Sequence, residues 1–219
     1  LRRKGRRNPF SPEKPGSACA YPKAAPVPIQ ESALLSGPLE PSNLGYALAK
    51  IAGIKLCQAY KQERGLDFIS CMPINLYGRG DNYDLQNSHV LPGMMHRMHD
   101  AKVKSGDVVL WGSGTPTREF LWSEDLAEAC FFLMENYSGD EAINVGTGRE
   151  ISLFQLAAHI ADTVEFYGTT FWDKSKPDGT PRRALDCSKI FAMGWRPKMI
   201  LEEGLKWAYE DFLSRYPNV

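Results

Sequence analysis

The stretch LGYALAKIAGIKLCQAYKQERG, residues 44–65, followed by LDFISCM, constrains the fold more than any other part of the chain. From Leu44 the apolar positions Leu48, Ile51, Ala52, Leu56, Ala59 and Tyr60 recur at helical spacing until Gly65, and Ser42 or Asn43 is available as an N-cap. The segment DFISCM, Asp67 to Met72, is short, rich in apolar side chains and closed by Pro73, which reads as a buried strand. A helix, a tight turn and a buried strand in that order belong to an α/β domain.

The rest of the chain continues the same grammar. VVLWG (Val108 to Gly112) reads as a second strand, followed by a loop SGTPTR. Ser123 then caps the helix EDLAEACFFLMEN, whose acidic first turn suits the positive end of the helix dipole. AINVGTG (Ala142 to Gly148) reads as a strand running into a glycine turn. Ser152 and Gln155 form a capping box that opens the helix LFQLAAHIADTV. TTFWD reads as a strand before the polar loop KSKPDGTPRR, and LEEGLKWAYEDFL as an amphipathic final helix.

Composition bounds what such a domain does. With 219 residues, 43% of them hydrophobic, the chain supports one good-sized domain or two small ones. The net charge of zero gives no reason to expect a nucleic acid or an anionic membrane as partner. Apolar runs such as CFFLM fall far below the roughly 20 residues a bilayer span needs, so a soluble protein is expected. Five cysteines, odd in number and scattered without metal-ligand spacing, point to a reducing cytoplasm and to no metal. The opening LRRKGRRNPFSPEK, residues 1–14, reads as a flexible basic arm, a solvated terminus before a nucleic-acid contact, and no apolar signal region follows it.

Within the first helix, Tyr46 and Lys50 stand four residues apart and so share a face. A phenol titrates near 10, and an ammonium beside it favours the phenolate. Bringing it to about 7 takes about 4 kcal/mol of interaction. Such a tyrosine can protonate a carbonyl oxygen as hydride reaches the carbon. Y-x-x-x-K alone is a weak signal, because two surface side chains one helical turn apart share the spacing.

The surroundings carry more. GSACAYP precedes the helix, with Ser17 inside it, and MPINLYG follows it. Ser, then YxxxK, then PxNxYG resembles the extended short-chain dehydrogenase/reductase superfamily. The further segments NSHVLPGMMHR, VVLWGSGTPTREFL, INVGTG and KPDGTPRRALD, in the same order to the C-terminus, narrow the resemblance to its fucose-synthase branch, the GDP-4-keto-6-deoxy-D-mannose epimerase/reductases. The resemblance implies an NADP(H) cofactor, a GDP-sugar substrate, and a homodimer formed through the Tyr46 helix. It implies catalytic roles for Ser17, Tyr46 and Lys50 in reduction at C4, and for Cys19 and His89 as the acid/base pair for epimerisation at C3 and C5. Gly16, Ser17, Ala18, Lys50, Pro73, Ile74, Asn75, Leu76 and His89 match cofactor-binding positions; Arg97, Trp111, Arg118 and Asp178 match positions that contact the GDP-sugar.

The residue types suit these roles. A hydrogen next to a ketone is acidified by enolate formation, and a thiol and an imidazole both take and give protons near neutral pH. An arginine fork matches a diphosphate. The plainer readings are a small buried thiol at Cys19, a core residue at Trp111 and a surface charge at Arg118. His96, His99 and His159 read as surface or packing residues. The GSG at 112–114 and the GTG at 146–148 read as turn glycines, because neither fits the strand-GxxGxxG-helix frame of a dinucleotide loop.

The expected fold class is therefore α/β: an incomplete Rossmann-like parallel sheet with a smaller α/β C-terminal substrate domain. Residues 15–75 are assigned to the Rossmann part and 76–219 mainly to the nucleotide-sugar part, with the stretch around 108–136 open to either. No counterpart of the glycine-rich phosphate loop precedes Ser17, and NPFSPEKP does not read as a central strand. The expectation is a chain with exposed apolar edges and weakened NADPH binding. Two other readings stay open: another nucleotide-sugar epimerase or reductase of the superfamily, and a non-catalytic GDP-sugar-binding remnant.

Overall fold

The computed structural model describes residues 14–217. The basic arm expected at 1–14 lies outside them up to residue 13. Lys14 itself is described, as the first residue of a strand. The chain divides into two compact units, each assembled from three separate stretches.

The first unit gathers the described residues up to Ile74 with Leu126–Gly146 and Leu185–Arg196. Its sheet is parallel, in the order β1 (Lys14–Pro15), β2 (Ser70–Pro73), β7 (Ile143–Val145), with Cys71 opposite Ile143 and Met72 opposite Asn144. The Lys14–Pro15 pair sits at the edge of this sheet, where a proline is tolerated. β2 starts three residues later than DFISCM suggests, because Phe68 donates its N–H to Leu66 O (2.9 Å) in a tight turn, and it includes Pro73.

Helix α1 (Leu44–Arg64) ends as the sequence predicts, at Gly65 in the left-handed conformation (φ 65°), whose N–H reaches Lys61 O. Its start differs. Pro41–Asn43 forms a 3-10 turn leading into the helix, and neither Ser42 nor Asn43 caps it with a side chain. The face turned into the core is Ala47, Ile51, Ile54 and Cys57. Leu44, Leu48, Ala52, Leu56 and Tyr60 are exposed, four residues apart each time.

The second unit comprises Asn75–Asp125, Thr147–Ala184 and Pro197–Val219. β3 (Asn75–Tyr77) pairs in parallel with β6 (Phe120–Trp122), and β4 (Val108–Trp111) with β9 (Thr170–Asp173). A third small sheet has the order β10 (Arg182–Arg183), β5 (Thr117–Arg118), β8 (Ile151–Ser152), the last pair antiparallel. The loops SGTPTR and KSKPDGTPRR thus each end in a two-residue strand. Gly112, Gly114 and Gly148 all have positive φ, as turn glycines require.

The core of this unit lies among α2 (Val90–Val103), α4 (Leu153–Val164) and α6 (Leu201–Arg215). α4 opens on the expected capping box: Ser152 Oγ accepts from the Gln155 N–H and Gln155 Oε1 accepts from the Ser152 N–H, both at 3.1 Å. The Phe212 ring lies 5.1 Å from the rings of Tyr83, His96 and His99. His96 and His99 are buried packing residues, their Nδ1 atoms hydrogen-bonded to Tyr83 O (2.7 Å) and Tyr209 Oη (2.8 Å). Of the two remaining α-helices, α3 (Ser123–Asn136) begins at Ser123 and enters the first unit at Leu126, and α5 (Ser188–Ala192) packs beside β7.

Candidate functional site

The first unit contains four of the five residues expected to do chemistry. Gly16 donates its N–H to Cys71 O (2.6 Å), extending the path of β1 along β2, and a Cβ there would overlap the Met72 sulfur. The chain leaves this close approach through Ser17, extended at φ −164° and ψ 144°, and enters the 3-10 turn Ala18–Ala20. Ser17 Oγ caps the turn by accepting from the Cys19 N–H at 3.3 Å. Ala18 and Ala20 are buried, so Ser17 and Cys19 alternate with them and are only half buried.

Helix α1 packs on this turn. Tyr46 is 52% exposed on it, and the Lys50 ammonium lies 5.4 Å from the centre of the Tyr46 ring, one helical turn away. Ala47, fully buried between them in sequence, holds this part of α1 against the core while the phenol and the ammonium stay on the outer face.

The proposed cofactor positions Pro73 to Leu76 run from β2 into β3. Ile74 is buried and donates its N–H to Val145 O (3.0 Å), which fixes the first half of the segment. In the second unit, Asn75 Nδ2 donates to Glu119 O (3.0 Å), which fixes the other half. Leu76 is partly exposed.

The fifth chemical residue, His89, belongs to the second unit. It occupies the N-cap position of α2, its carbonyl accepting from the Gly93 N–H (3.0 Å), and its side chain makes no cap. Gly93 leaves room for Arg97: a Cβ at 93 would stand 2.9 Å from Arg97 Nη1 and 2.7 Å from Ser88 Oγ. Arg97 Nη2 donates to Leu85 O at 2.8 Å.

The other three substrate positions gather around the turn after β4. Asp178 accepts from the Ser113 N–H (2.8 Å) and hydroxyl (2.7 Å), which hold its carboxyl below the usual range. Trp111 is 68% exposed, with the Lys176 ammonium 5.5 Å from its ring centre. Arg118 is half buried on β5 and donates to Thr117 O (2.7 Å). Burial lowers the Arg118 pKa most, the neighbouring charge of Arg183 lowers it further, and Asp178 raises it. Arg183 stands opposite Arg118 in the strand register. Two guanidiniums beside one carboxylate make a locally cationic surface suited to an anion.

Three residues missed by the sequence reading shape these sites. Glu119 is fully buried, and its carboxylate accepts from the N–H groups of Thr147 and of Gly148 (2.7 Å), tying the glycine turn to β6. Asn144 is a buried amide in a strand, hydrogen-bonded to Tyr21 (2.6 Å). The available signal was a polar residue at the head of an apolar run in the first case, EFLW, and one interrupting it in the second, INV. Arg183 was visible only as one of several basic residues in its loop.

Among the described residues no helix is long and apolar enough to cross a membrane, and no group of three His, Cys, Asp or Glu side chains is arranged to hold a metal ion. All five cysteines are free thiols.

The family model described as "NAD dependent epimerase/dehydratase family" matches residues 14–146. The chain is 55% identical over 200 residues to a GDP-L-fucose synthase of Sinorhizobium fredii, covering 91% of this chain and 64% of that protein. It is 53% identical over 204 residues to GDP-L-fucose synthase 1 of Arabidopsis thaliana, covering 93% and 63%. The chain therefore spans under two thirds of the length of these relatives. Among solved structures it is similar to a GDP-L-fucose synthetase from Naegleria fowleri bound to NADP, at 32% identity and a TM-score of 0.89, covering 94% of this chain and 67% of that one.

Proposed function

The chain belongs to the NAD dependent epimerase/dehydratase family, and on that premise we propose that it carries the machinery of a GDP-L-fucose synthase. The reaction is conversion of GDP-4-keto-6-deoxy-D-mannose to GDP-L-fucose by epimerisation at C3 and C5 and NADPH-dependent reduction at C4. The observation that carries this reading is the pairing of two elements in the first unit: helix α1, which carries Tyr46 and Lys50 one turn apart, packs on the turn that carries Ser17 and Cys19.

In this reading Cys19 and His89 divide the epimerisation. One removes the hydrogen made acidic by the neighbouring ketone, and the other returns a proton to the opposite face. Tyr46 then gives its proton to the C4 oxygen, Ser17 hydrogen-bonds that oxygen, and the Lys50 ammonium compensates the charge left on the phenolate. Bound NADPH would supply the hydride to C4. A phenol, an ammonium and a serine hydroxyl match the hydroxyls of a nicotinamide ribose, and Gly16–Ala18, Lys50, Pro73–Leu76 and His89 would hold that end of the cofactor. Arg97 and Arg118 would bind the diphosphate, with Trp111 and Asp178 contacting the nucleotide sugar.

The same reading assigns the protein to the cytoplasm and to a homodimer built on the outer face of α1, where Leu44, Leu48, Leu56 and Tyr60 are exposed. The test is product analysis of the purified chain with GDP-4-keto-6-deoxy-D-mannose and NADPH. GDP-L-fucose is expected, Tyr46→Phe abolishing reduction and Cys19→Ser abolishing only solvent-proton incorporation at C3 and C5. Sugar binding without either reaction overturns the catalytic reading and leaves a binding module.

A further inference from the structure

The 3-10 turn that carries Ser17 and Cys19 has little to hold it by itself. It is three residues long, closed by two backbone bonds, Ala20 N–H to Ser17 O (2.9 Å) and Tyr21 N–H to Ala18 O (3.2 Å), and so short a turn is geometrically weak. Its inward residues, Ala18 and Ala20, are the smallest side chains with a Cβ and give it a shallow apolar anchor. Helix α1 packs against it, and contacts at its two ends add to that hold. At the entrance, Gly16 is fixed against Cys71 and Met72. At the exit stands Tyr21, 1% exposed.

We propose that the buried hydrogen bond from Tyr21 Oη to Asn144 Oδ1 sets the position of this turn, making Tyr21 and Asn144 positioning residues for Ser17 and Cys19. The inference rests on the reading of those two as the groups that meet the substrate.

Asn144 is fully buried on β7, and both ends of its side-chain amide and its backbone N–H are engaged. Its Oδ1 accepts from Tyr21 (2.6 Å), and its Nδ2 donates to Ile29 O (2.8 Å) and Asp186 O (3.1 Å). Its backbone N–H donates to Glu31 Oε1 (3.1 Å), and the other Glu31 oxygen lies 3.6 Å from the Lys189 ammonium. One amide thereby fastens both the exit of the turn and, at Ile29, the loop that runs on toward α1. A network this well satisfied inside a core admits one arrangement and penalises any other, since each alternative strands a buried polar group. Burial, with the Glu31 charge adding to it, raises the Tyr21 pKa far above that of a free phenol, so the hydroxyl stays a donor at every working pH. A phenylalanine would fill the same volume, so the hydroxyl is what ties the turn to the strand.

The experiment is site-resolved alkylation of the full chain with iodoacetamide, followed by mass spectrometry across pH, comparing Tyr21→Phe with the unaltered protein. Cys130, half buried on α3 in the same unit, is the internal reference. The expected result is a rise in the Cys19-to-Cys130 rate ratio of about fivefold, the change that losing one hydrogen bond of ordinary net strength produces, with a displaced pH profile for Cys19 alone. An unchanged ratio and profile overturn the proposal, and so does an equal rise at both thiols, which would mean that the whole unit has loosened. Should Tyr21→Phe not fold, amide hydrogen exchange of the unaltered chain decides. Exchange at Ala20 and Tyr21 as slow as at Asn144 supports the proposal, and exchange at the rate of an exposed loop overturns it. Failure of the functional reading looks different: Cys19 then responds to Tyr21→Phe while the chain incorporates no solvent proton into the sugar and reduces nothing.

Discussion

Helices α1 and α4 both carry enough apolar residues to be read from sequence, yet they use them in opposite ways. α4 turns most of its large side chains inward: Leu156, Ile160 and Val164 are fully buried and Ala157 nearly so, and Phe154 in the first turn is the large side chain it leaves exposed. α1 buries Ala47 and Cys57 beside Ile51 and Ile54, and leaves Leu44, Leu48, Leu56 and Tyr60 between 44% and 50% exposed. The outer residues repeat every four positions and form a ridge of the kind that interlocks with another helix. Apolar periodicity therefore identifies a helix without saying which stripe meets its own core. In α1 the bulkier stripe is the outer one, the face to which the proposed homodimer is assigned.

The largest expected effect tests the inner side of this contrast. Leu156→Ala in α4 should cost about 2–5 kcal/mol in denaturant unfolding, because it opens a cavity at a fully buried site. Leu48→Ala in α1 should change the stability of the monomer by no more than about 0.5 kcal/mol. A loss at Leu48 comparable to that at Leu156 would mean that the outer stripe is core after all.

Next in size are the helix ends. Gly65→Ala should cost about 1–2 kcal/mol, since residue 65 sits at φ 65°, where a Cβ crowds the following carbonyl. Ser152→Ala should cost about 1 kcal/mol by removing the cap of α4. Equal stability of either variant with the parent would show that the end is held by something other than the cap described.

The outer stripe is tested by mass and not by stability. Leu48→Glu combined with Leu56→Glu should leave the circular dichroism spectrum unchanged and shift the sedimentation coefficient to that of a monomer. Retention of a dimer would locate self-association elsewhere.

The smallest effect lies in the second unit, at Asp178. The N–H and hydroxyl of Ser113 lower its pKa, so whatever this contact adds to stability is complete above the ordinary carboxylate range near 3.9. It is lost as the pH falls through the lower folded value. A carbon-detected titration should find the Asp178 midpoint below the ordinary value and moved part of the way upward by Ser113→Ala, which removes the hydroxyl and keeps the N–H; no movement would assign the depression to the N–H without the hydroxyl.

What was legible follows from how local each cause is. The α4 boundaries are readable because Ser152 and Gln155 lie three residues apart and satisfy each other. α2 is not readable as an amphipathic helix: Leu91 to His96, Met98, His99 and Ala101 are all buried, so polar and apolar residues do not alternate, and Pro92 and Gly93 in its first turn obscure the start. β5, β8 and β10 are two residues long and exist only by pairing with one another. In the candidate site, Tyr46 and Lys50 could be matched because their spacing is helical. The Tyr21–Asn144 bond could not, because its partners are separated by 123 residues.

The division of the chain also has a consequence for its synthesis. Each unit is stitched from three stretches, and the first is not complete until residues 185–196 have joined it, the second until the residues after 197 have. As the chain emerges from the ribosome, neither unit can close early and shelter its apolar surfaces while the other is still being made. Both finish almost together, only once the stretches from residue 185 onward have been made, so a nascent chain stalled before residue 185 should bind chaperones through two open cores at once.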